Sequence, residues 1–218
     1  MENRNIKYCI YNYKGWGKMN NKIRQMVYAS LLTALAIIIP IQFGFLKVYI
    51  PPFSATLASH VPMFIAMLIS PMVAVVTGMG SSLGFLIAGM PIAIVFRAAT
   101  HIVVGYIGAK YIQRNKSYLK MSLFTSIIHG ALEALVVIPF IGFDIYQLVI
   151  VTGVGAVLHH LVDSSIGYAL ISTMAKSRHK DIYTLFNTNG TLSFGVSIAS
   201  LKLFCIEVAS FFDLSFPD

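Results

Sequence analysis

The chain has 218 residues, of which 57% are hydrophobic and only 11% are charged. Soluble domains carry roughly 25% charged residues, so a water-soluble fold could not cover this much apolar surface. Six spans of about 20 residues would use nearly all of the apolar residues. The composition therefore predicts an all-α membrane protein with six transmembrane helices and excludes a sizeable soluble domain. Cys9 and Cys205 lie far apart and indicate neither a disulfide framework nor a zinc site.

The N-terminal segment differs from the rest of the chain. Residues 1–18 are polar and aromatic, whereas Met19 opens a segment typical of a natural start. We interpret residues 1–18 as an extension that is disordered or follows a misassigned start. The first span is predicted at about 25–45, which is too long for the apolar region of a signal peptide. A loop containing Pro51 and Pro52 follows it.

Five further spans are predicted downstream. The stretch 61–96 carries no charge and is too long for one span. Breaks at Pro71 and at Gly89–Pro91 divide it, which predicts spans at about 57–70 and 72–88 and a third from about 91 to 110. Spans at about 121–140 and 147–174 complete a six-helix domain over residues 19–180. Residues 181–218 are predicted to form a tail of uncertain structure, because a seventh span there would bury charges.

The basic residues are clustered in a way that predicts orientation. Of the 16 Lys and Arg residues, thirteen lie before Gln25, between Lys110 and Lys120, or at 176–180. With six spans, these three places fall on one side, which the positive-inside rule makes cytoplasmic. The N-terminus is therefore predicted to be cytoplasmic. The positive charge indicates anionic lipid headgroups as partners rather than nucleic acid.

Ionisable residues within the predicted spans indicate a site, because each costs roughly 2.5–3.5 kcal/mol in hydrocarbon. Apart from His60, they include pairs spaced four residues apart on shared helix faces: Arg97/His101, His129/Glu133 and His159/Asp163. The predicted topology places most of them in the outer half of the bundle, which favours a pocket open to the outside. Asp163 is predicted to lie deeper, where pairing between helices is the better interpretation.

Two interpretations remain open for the central cation. Arg97 cannot lose its proton to escape the membrane, so it needs an anionic partner. Either Glu133 neutralises it permanently or a ligand anion does so when bound. The histidines likewise serve either as ligand contacts or as hydrogen-bonding links between helices.

Small residues in the first span indicate close helix packing. Ala29, Ser30, Thr33 and Ala34 form a small-x-x-x-small surface, which serves either internal packing or docking of another membrane subunit. In the third span, the glycines at 78, 80 and 84 are predicted to form an internal packing face.

Several enzyme motifs are absent from the sequence. It contains no G-x-x-x-x-G-K-[ST] phosphate loop, no H-E-x-x-H and no G-x-S-x-G. We therefore predict a chain that is not an enzyme, with neither a metal nor a cofactor of its own. An intramembrane enzyme using the His and Glu residues and a purely structural membrane protein are the alternatives.

Two segments carry a family resemblance: SATLASHVPMFIAMLISP at 54–71 and GSSLGFLIAGMPIAIVFRAATHIVVGYIGA at 80–109. With the six-span layout, they resemble the substrate-binding S components of energy-coupling factor (ECF) vitamin transporters, and most closely the niacin-specific branch. The resemblance covers about residues 19–180. It implies capture of a vitamin outside the plasma membrane, with the loop after the first helix as a lid. It also implies docking on a transmembrane T component and two ABC-type ATPases, which use the ATP.

The resemblance also implies roles for particular residues. The family carries an A-x-x-x-A docking face in the first helix, and Ser30-x-x-x-Ala34 stands in its place here. Nicotinate needs a cation, one hydrogen-bond donor and an apolar slot. Arg97 matches its carboxylate bidentately, and Glu133 would hold Arg97 or a histidine in place. His60, His101 or His129 would donate a hydrogen bond to the ring nitrogen of the ligand. Tyr49 and Phe53, in the lid, would cover the face of its ring. Another small vitamin or precursor is the alternative ligand.

Overall fold

The computed structural model describes residues 21–186. The predicted N-terminal extension and residues 187–218 of the predicted tail lie outside this range. The described residues form six α-helices: α1 (Asn21–Gln42), α2 (Val61–Ile69), α3 (Pro71–Ile87), α4 (Ile92–Asn115), α5 (Tyr118–Ile141) and α6 (Gly155–Ser177). A π-helical segment, Tyr146–Val154, leads directly into α6. A 3-10 turn, Gly44–Leu46, follows α1.

The described helices confirm an all-α membrane protein. Four of them, counting the π-helical segment and α6 as one, are long and apolar enough to cross a membrane, and α3 is a shorter apolar helix of 17 residues. Their positions agree with the predicted spans to within a few residues. The exception is α2, which has nine residues and rises only about 14 Å. It is shorter than the predicted span at 57–70 because residues 57–60 form a turn rather than helix.

A short β-hairpin stands between α1 and α2, where the sequence predicted only a loop. Strand β1 (Lys47–Ile50) pairs antiparallel with β2 (Phe53–Thr56), and the register places Ile50 opposite Phe53. The turn between them contains the cis peptide bond Pro51–Pro52. The β1 strand is largely exposed, whereas β2 is largely buried. The hairpin therefore covers the helical bundle with its second strand.

Glycines allow α3 to pack closely between α1 and α4, as the sequence predicted. A Cβ at Gly84 would lie 2.7 Å from the Cα of Ile37, and one at Gly78 would lie 2.8 Å from the backbone nitrogen of Ile102. A Cβ at Gly80 would meet the side chain of Thr33. Only glycine lets the backbones approach this closely.

The corner between α2 and α3 lies at the same end of the bundle as the start of α1. The Ser70 hydroxyl accepts a hydrogen bond from the backbone N–H of Val73 at 3.2 Å and caps α3. It also donates to Oε1 of Gln25 at 3.1 Å. Helix α2 therefore runs from the middle of the bundle to this end, and His60 at its start lies at the depth of the buried polar residues.

Candidate functional site

A small polar cavity lies beneath the hairpin. Its volume is about 20 Å³, which is room for about one water molecule. The hairpin and the turn after it provide one side, and helices α3 to α6 provide the rest: Ser54, Thr56, Ser59, His60, Phe85, Ile94, Arg97, Ala98, His101, Glu133 and His159. The wall therefore combines one guanidinium, several hydrogen-bonding groups and an apolar strip.

Arg97 is the fixed cation of this site, and its donors are divided between two sides. Nε donates to Oε2 of Glu133 at 3.1 Å and Nη2 donates to the same oxygen at 2.6 Å. On the other side, Nη1 donates to the backbone oxygen of Pro52 at 3.0 Å and Nη2 to that of Ser54 at 3.2 Å. Glu133 thus neutralises Arg97 in this arrangement, while the hairpin occupies the remaining face of the guanidinium.

An aromatic ring supports the same guanidinium from the hairpin. The Cζ atom of Arg97 lies 5.1 Å from the ring centre of Phe53, a distance at which a cation is attracted to an aromatic face. A Cβ at Gly155 would approach this ring to 3.1 Å. A side chain at position 155 would therefore press on the Phe53 ring, which would have to shift by a few tenths of an ångström.

Asp163 of α6 fastens the turn that follows the hairpin. Its Oδ1 accepts the backbone N–H of Ala58 at 2.8 Å, and its Oδ2 accepts the backbone N–H of His60 at 3.0 Å and Nδ1 of His60 at 2.9 Å. Ala58 has a φ of 67°, which costs an alanine about 1–2 kcal/mol. Asp163 thus pairs a helix with a turn, rather than only helix with helix.

Further hydrogen bonds orient the histidines of the wall. The Ser81 hydroxyl lies 2.9 Å from Nδ1 of His101, and the Ser59 hydroxyl lies 3.2 Å from Nε2 of His159. When the Ser81 hydroxyl donates, the Nε2 of His101 carries the proton and is a donor. The carboxylate of Asp163 makes Nδ1 of His60 the protonated nitrogen, so its Nε2 is an acceptor.

The structure brings most of the predicted ligand-binding residues together. His60, Arg97, His101 and Glu133 line the cavity, and Phe53 packs on Arg97. Two predicted residues are placed differently. His129 is fully buried behind the wall, with its Nε2 3.2 Å from Oε1 of Glu133. The side chain of Tyr49 is 52% exposed on the outer strand and does not line the cavity.

The predicted docking residues divide between two sides of α1. Ser30 and Ala34 are exposed, and the Ser30 hydroxyl donates to the backbone oxygen of Met26 within its own helix. Ala29 is buried, and Thr33 packs against Gly80 of α3. Only Ser30 and Ala34 of the four are therefore available to another subunit, whereas the other two serve internal packing.

Sequence reasoning missed several residues of the cavity wall. Phe85, Ile94 and Ala98 supply the apolar strip, and Ser54, Thr56 and Ser59 supply hydroxyl groups. Ile94, Ala98 and His101 lie three or four residues from Arg97 or from each other, so the helical spacing around Arg97 was a usable signal for them. The hydroxyl residues had no such signal, because they depend on the hairpin.

The described residues thus define an α-helical membrane protein with a small polar cavity beneath a hairpin. The chain is 31% identical over 177 residues to the niacin transporter NiaX of Lactococcus lactis subsp. cremoris (strain MG1363), and the match covers 74% of this chain and 79% of the relative. The chain therefore belongs to the S components of ECF vitamin transporters, in the niacin branch. The transporter relative also confirms the prediction that the chain is not an enzyme. No family model and no solved structure matches the chain.

Proposed function

We propose that this chain is the substrate-capture subunit of an ATP-driven uptake transporter and that its ligand is niacin, in the form of nicotinate. The relative that is named a niacin transporter supports the ligand. The observation that carries the mechanism is the divided hydrogen bonding of Arg97, with Glu133 on one side and two hairpin carbonyls on the other.

The ligand carboxylate replaces the hairpin carbonyls on Arg97. The cavity of about 20 Å³ is too small for a pyridine ring, since a single water fills such a space. Binding therefore requires the hairpin tip to move. When it moves, the carbonyls of Pro52 and Ser54 leave the guanidinium, and a carboxylate forms stronger, charge-assisted hydrogen bonds with the same donors. Glu133 stays in place and keeps the guanidinium oriented.

The ring of the ligand lies along the apolar strip. Phe85, Ile94 and Ala98 offer a surface for one face of the pyridine. His101 is the donor to the ring nitrogen, because the Ser81 hydroxyl lies at its Nδ1 and leaves Nε2 as the N–H. His60 is not the donor, since its only imidazole N–H already donates to Asp163.

The orientation and partners follow from the charge distribution and the family. The positive-inside rule places the clusters of Lys and Arg in the cytoplasm. The N-terminus then lies on the cytoplasmic side of the plasma membrane, and the hairpin lies on the extracellular side. A T component and two ABC-type ATPases supply the energy, because this chain has no phosphate loop. Ser30 and Ala34 on the exposed face of α1 contact the T component.

Binding of radiolabelled nicotinate to the purified chain, without ATPases, tests the proposal. We expect stoichiometric binding without chemical conversion and weaker competition by nicotinamide, which lacks the negative charge. Equal competition by nicotinamide, or no binding of either compound, would contradict nicotinate as the ligand.

Two substitutions test the role of Arg97. Arg97→Gln alone would leave Glu133 as a buried unpaired charge, which destabilises a protein. The double variant Arg97→Gln/Glu133→Gln removes both charges and should weaken nicotinate binding roughly 10- to 150-fold, the value of one charge-assisted hydrogen bond of about 1.5–3 kcal/mol. Glu133→Gln alone leaves Arg97 without its anion and should destabilise the free protein, but it should retain or tighten nicotinate binding, because the ligand carboxylate then becomes the counter-ion of Arg97. Arg114→Gln, at an exposed arginine near the end of α4, is the control. Unchanged nicotinate affinity in the double variant would refute the assignment.

A further inference from the structure

The buried histidines form one cluster that the proposed nicotinate site only partly uses. The ring centre of His60 lies 4.5 to 5.4 Å from the ring centres of the other four. Three of these residues, His60, His129 and His160, are completely enclosed and offer ligand atoms that lie within 4.8 Å of one another. His129 and His160 do not line the cavity. The three therefore form a group that reaches from His60 in the cavity wall to His129 and His160 behind it.

His60 presents an unused lone pair to this group. Its Nδ1 lies 2.9 Å from Oδ2 of Asp163. Nδ1 therefore carries the proton and donates a hydrogen bond to the carboxylate, and Nε2 is left as an acceptor. Among the described residues, Nε2 of His60 has no hydrogen-bond partner although it is buried. A buried imidazole nitrogen without a partner is costly in a protein interior.

His160 presents a second lone pair. The Thr125 hydroxyl lies 2.8 Å from the backbone oxygen of Met121 and 3.0 Å from Nε2 of His160. When the Thr125 hydroxyl donates to the Met121 carbonyl, which is the shorter of the two contacts, Nε2 of His160 carries the proton that Thr125 accepts. Nδ1 of His160 is then the unprotonated nitrogen.

His129 lies between this nitrogen and a carboxylate. Its Nδ1 is 3.1 Å from Nδ1 of His160, and its Nε2 is 3.2 Å from Oε1 of Glu133. A proton on Nε2 faces the Glu133 carboxylate favourably but leaves two lone pairs opposed at the Nδ1 atoms. A proton on Nδ1 leaves a lone pair opposed to the carboxylate instead. A cation held between the two Nδ1 atoms removes the conflict.

We propose that Nε2 of His60, Nδ1 of His129 and Nδ1 of His160 bind a divalent transition-metal ion of the Zn²⁺ type. Neutral imidazoles are ligands that such ions prefer over Mg²⁺ and Ca²⁺. Two nitrogens bound to one Zn²⁺ at about 2.0–2.1 Å lie roughly 3.3 Å apart in a tetrahedron, close to the 3.1 Å between His129 and His160. This proposal departs from the sequence prediction that the chain holds no metal.

The outer contacts of these histidines match those of metal ligands. Two of these histidines hydrogen-bond an oxygen through their second ring nitrogen, His60 to Asp163 and His160 to Thr125. Nε2 of His129 lies 3.2 Å from Oε1 of Glu133, although no hydrogen bond joins them in this arrangement. Such oxygens fix the tautomer and raise the basicity of the coordinating nitrogen. Asp163 also provides negative charge near a buried dication, whereas the charge of Glu133 is already paired with Arg97.

A different proton arrangement would satisfy His129 and His160 without a metal, although it leaves Nε2 of His60 without a partner. If Thr125 donated to Nε2 of His160, a proton on Nδ1 of His160 would reach His129, and His129 would donate to Glu133. A metal-binding measurement separates the two arrangements, because only the first leaves three lone pairs converging.

The experiment uses the full chain, purified with a tag that contains no histidine and stripped with a chelator. Zn²⁺ is added and followed by calorimetry, and Co²⁺ is added separately so that its visible absorption reports the ligand set. We expect about one equivalent of Zn²⁺ and a Co²⁺ spectrum typical of tetrahedral nitrogen ligands. Absence of stoichiometric Zn²⁺ binding would overturn the proposal in favour of the proton arrangement.

Variants of single histidines identify the ligands. Within residues 21–186, three overlapping groups place possible ligand atoms close together, and each group contains one histidine that the other two lack: His160, His159 or His101. We expect His160→Asn to lose Zn²⁺ binding, whereas His159→Asn, His101→Asn and the exposed-residue control His179→Asn retain it. Zn²⁺ binding that survives His160→Asn would refute the proposed ligand set.

A milder variant covers the case in which His160→Asn does not fold. Thr125→Val removes the hydroxyl that accepts from His160 and should reduce Zn²⁺ affinity about 10- to 100-fold, the usual cost of losing such a contact. An unchanged affinity in this variant would contradict the assigned tautomer. Because Thr125 and His160 do not line the cavity, loss of Zn²⁺ binding with retained nicotinate binding separates this proposal from the proposed function.

Discussion

The substitution Asp163→Asn tests whether α6 holds the hairpin closed over the cavity. The carboxylate accepts hydrogen bonds from the backbone N–H groups of Ala58 and His60 and from Nδ1 of His60. An asparagine of the same shape keeps one oxygen, which best replaces Oδ2 and retains both contacts to His60. Its amide NH₂ group then faces the N–H of Ala58, so one hydrogen bond is lost and two donors oppose each other.

The expected magnitude follows from that single loss. A hydrogen bond to a charged group contributes about 1.5–3 kcal/mol, and Ala58 already carries the cost of its positive φ of 67°. The closed arrangement should therefore lose roughly 10- to 150-fold in population relative to the open one. Because nicotinate displaces only the hairpin tip and binds with the base attached to α6, its apparent affinity falls by up to the same factor, and by the full factor only where the base is mostly detached in the free protein.

Hydrogen–deuterium exchange of the backbone amides in residues 47–60 measures this opening directly, and nicotinate binding gives the second reading. Asp144→Asn is the matched control, because Asp144 is an exposed carboxylate that accepts one backbone N–H, that of Gln147 at 3.1 Å. We expect faster exchange in the Asp163 variant and no change in the Asp144 variant. If the two variants exchange at the same rate and bind nicotinate equally well, Asp163 does not fasten the hairpin.

Three further predictions concern packing, the hairpin and docking. Gly84→Ala should lower the thermal unfolding temperature by an amount equivalent to about 1–3 kcal/mol, because the new Cβ would meet the backbone of α1. The control Gly44→Ala, whose Cβ would have nothing within 4 Å, should leave this temperature unchanged. Equal effects of the two variants would contradict the close contact. Phe53→Ala should weaken nicotinate binding in the radioligand assay more than Tyr49→Ala, because only the Phe53 ring packs on Arg97; the reverse order would restore Tyr49 as the lid residue. Ala34→Trp, on the exposed face of α1, should abolish uptake by the assembled transporter and leave binding to the isolated chain unchanged; normal uptake would exclude this face from docking.

The sequence predicted the helices well because charge and chain-breaking residues mark their ends. Ser70–Pro71 and the break before Ile92 divide a charge-free stretch at the ends of α2 and α3. The hairpin was not predictable in the same way. Its strands have four residues each on either side of two prolines, and four residues are too few to separate an alternating pattern from an apolar loop.

The candidate site was predicted in its charges but not in its arrangement. Arg97 and Glu133 were recognised because an arginine within a span requires an anion, and the structure pairs them. Helical spacing could not place His60, because its position depends on the hairpin and turn that shorten α2. For the same reason, the buried strand with Phe53 could not be distinguished from the outer strand with Tyr49 before the hairpin was known.

The hairpin is fastened at two places that differ chemically, and this difference decides how the cavity opens. At its tip, the carbonyls of Pro52 and Ser54 are neutral acceptors on Arg97, so an incoming carboxylate is a stronger acceptor for the same donors. At its base, the backbone N–H groups of Ala58 and His60 donate to the carboxylate of Asp163. A ligand anion that approached these N–H groups would be repelled by the negative charge of Asp163. Under the proposed function, a negatively charged ligand displaces the tip while the base stays attached to α6, and a neutral ligand lacks this advantage at Arg97.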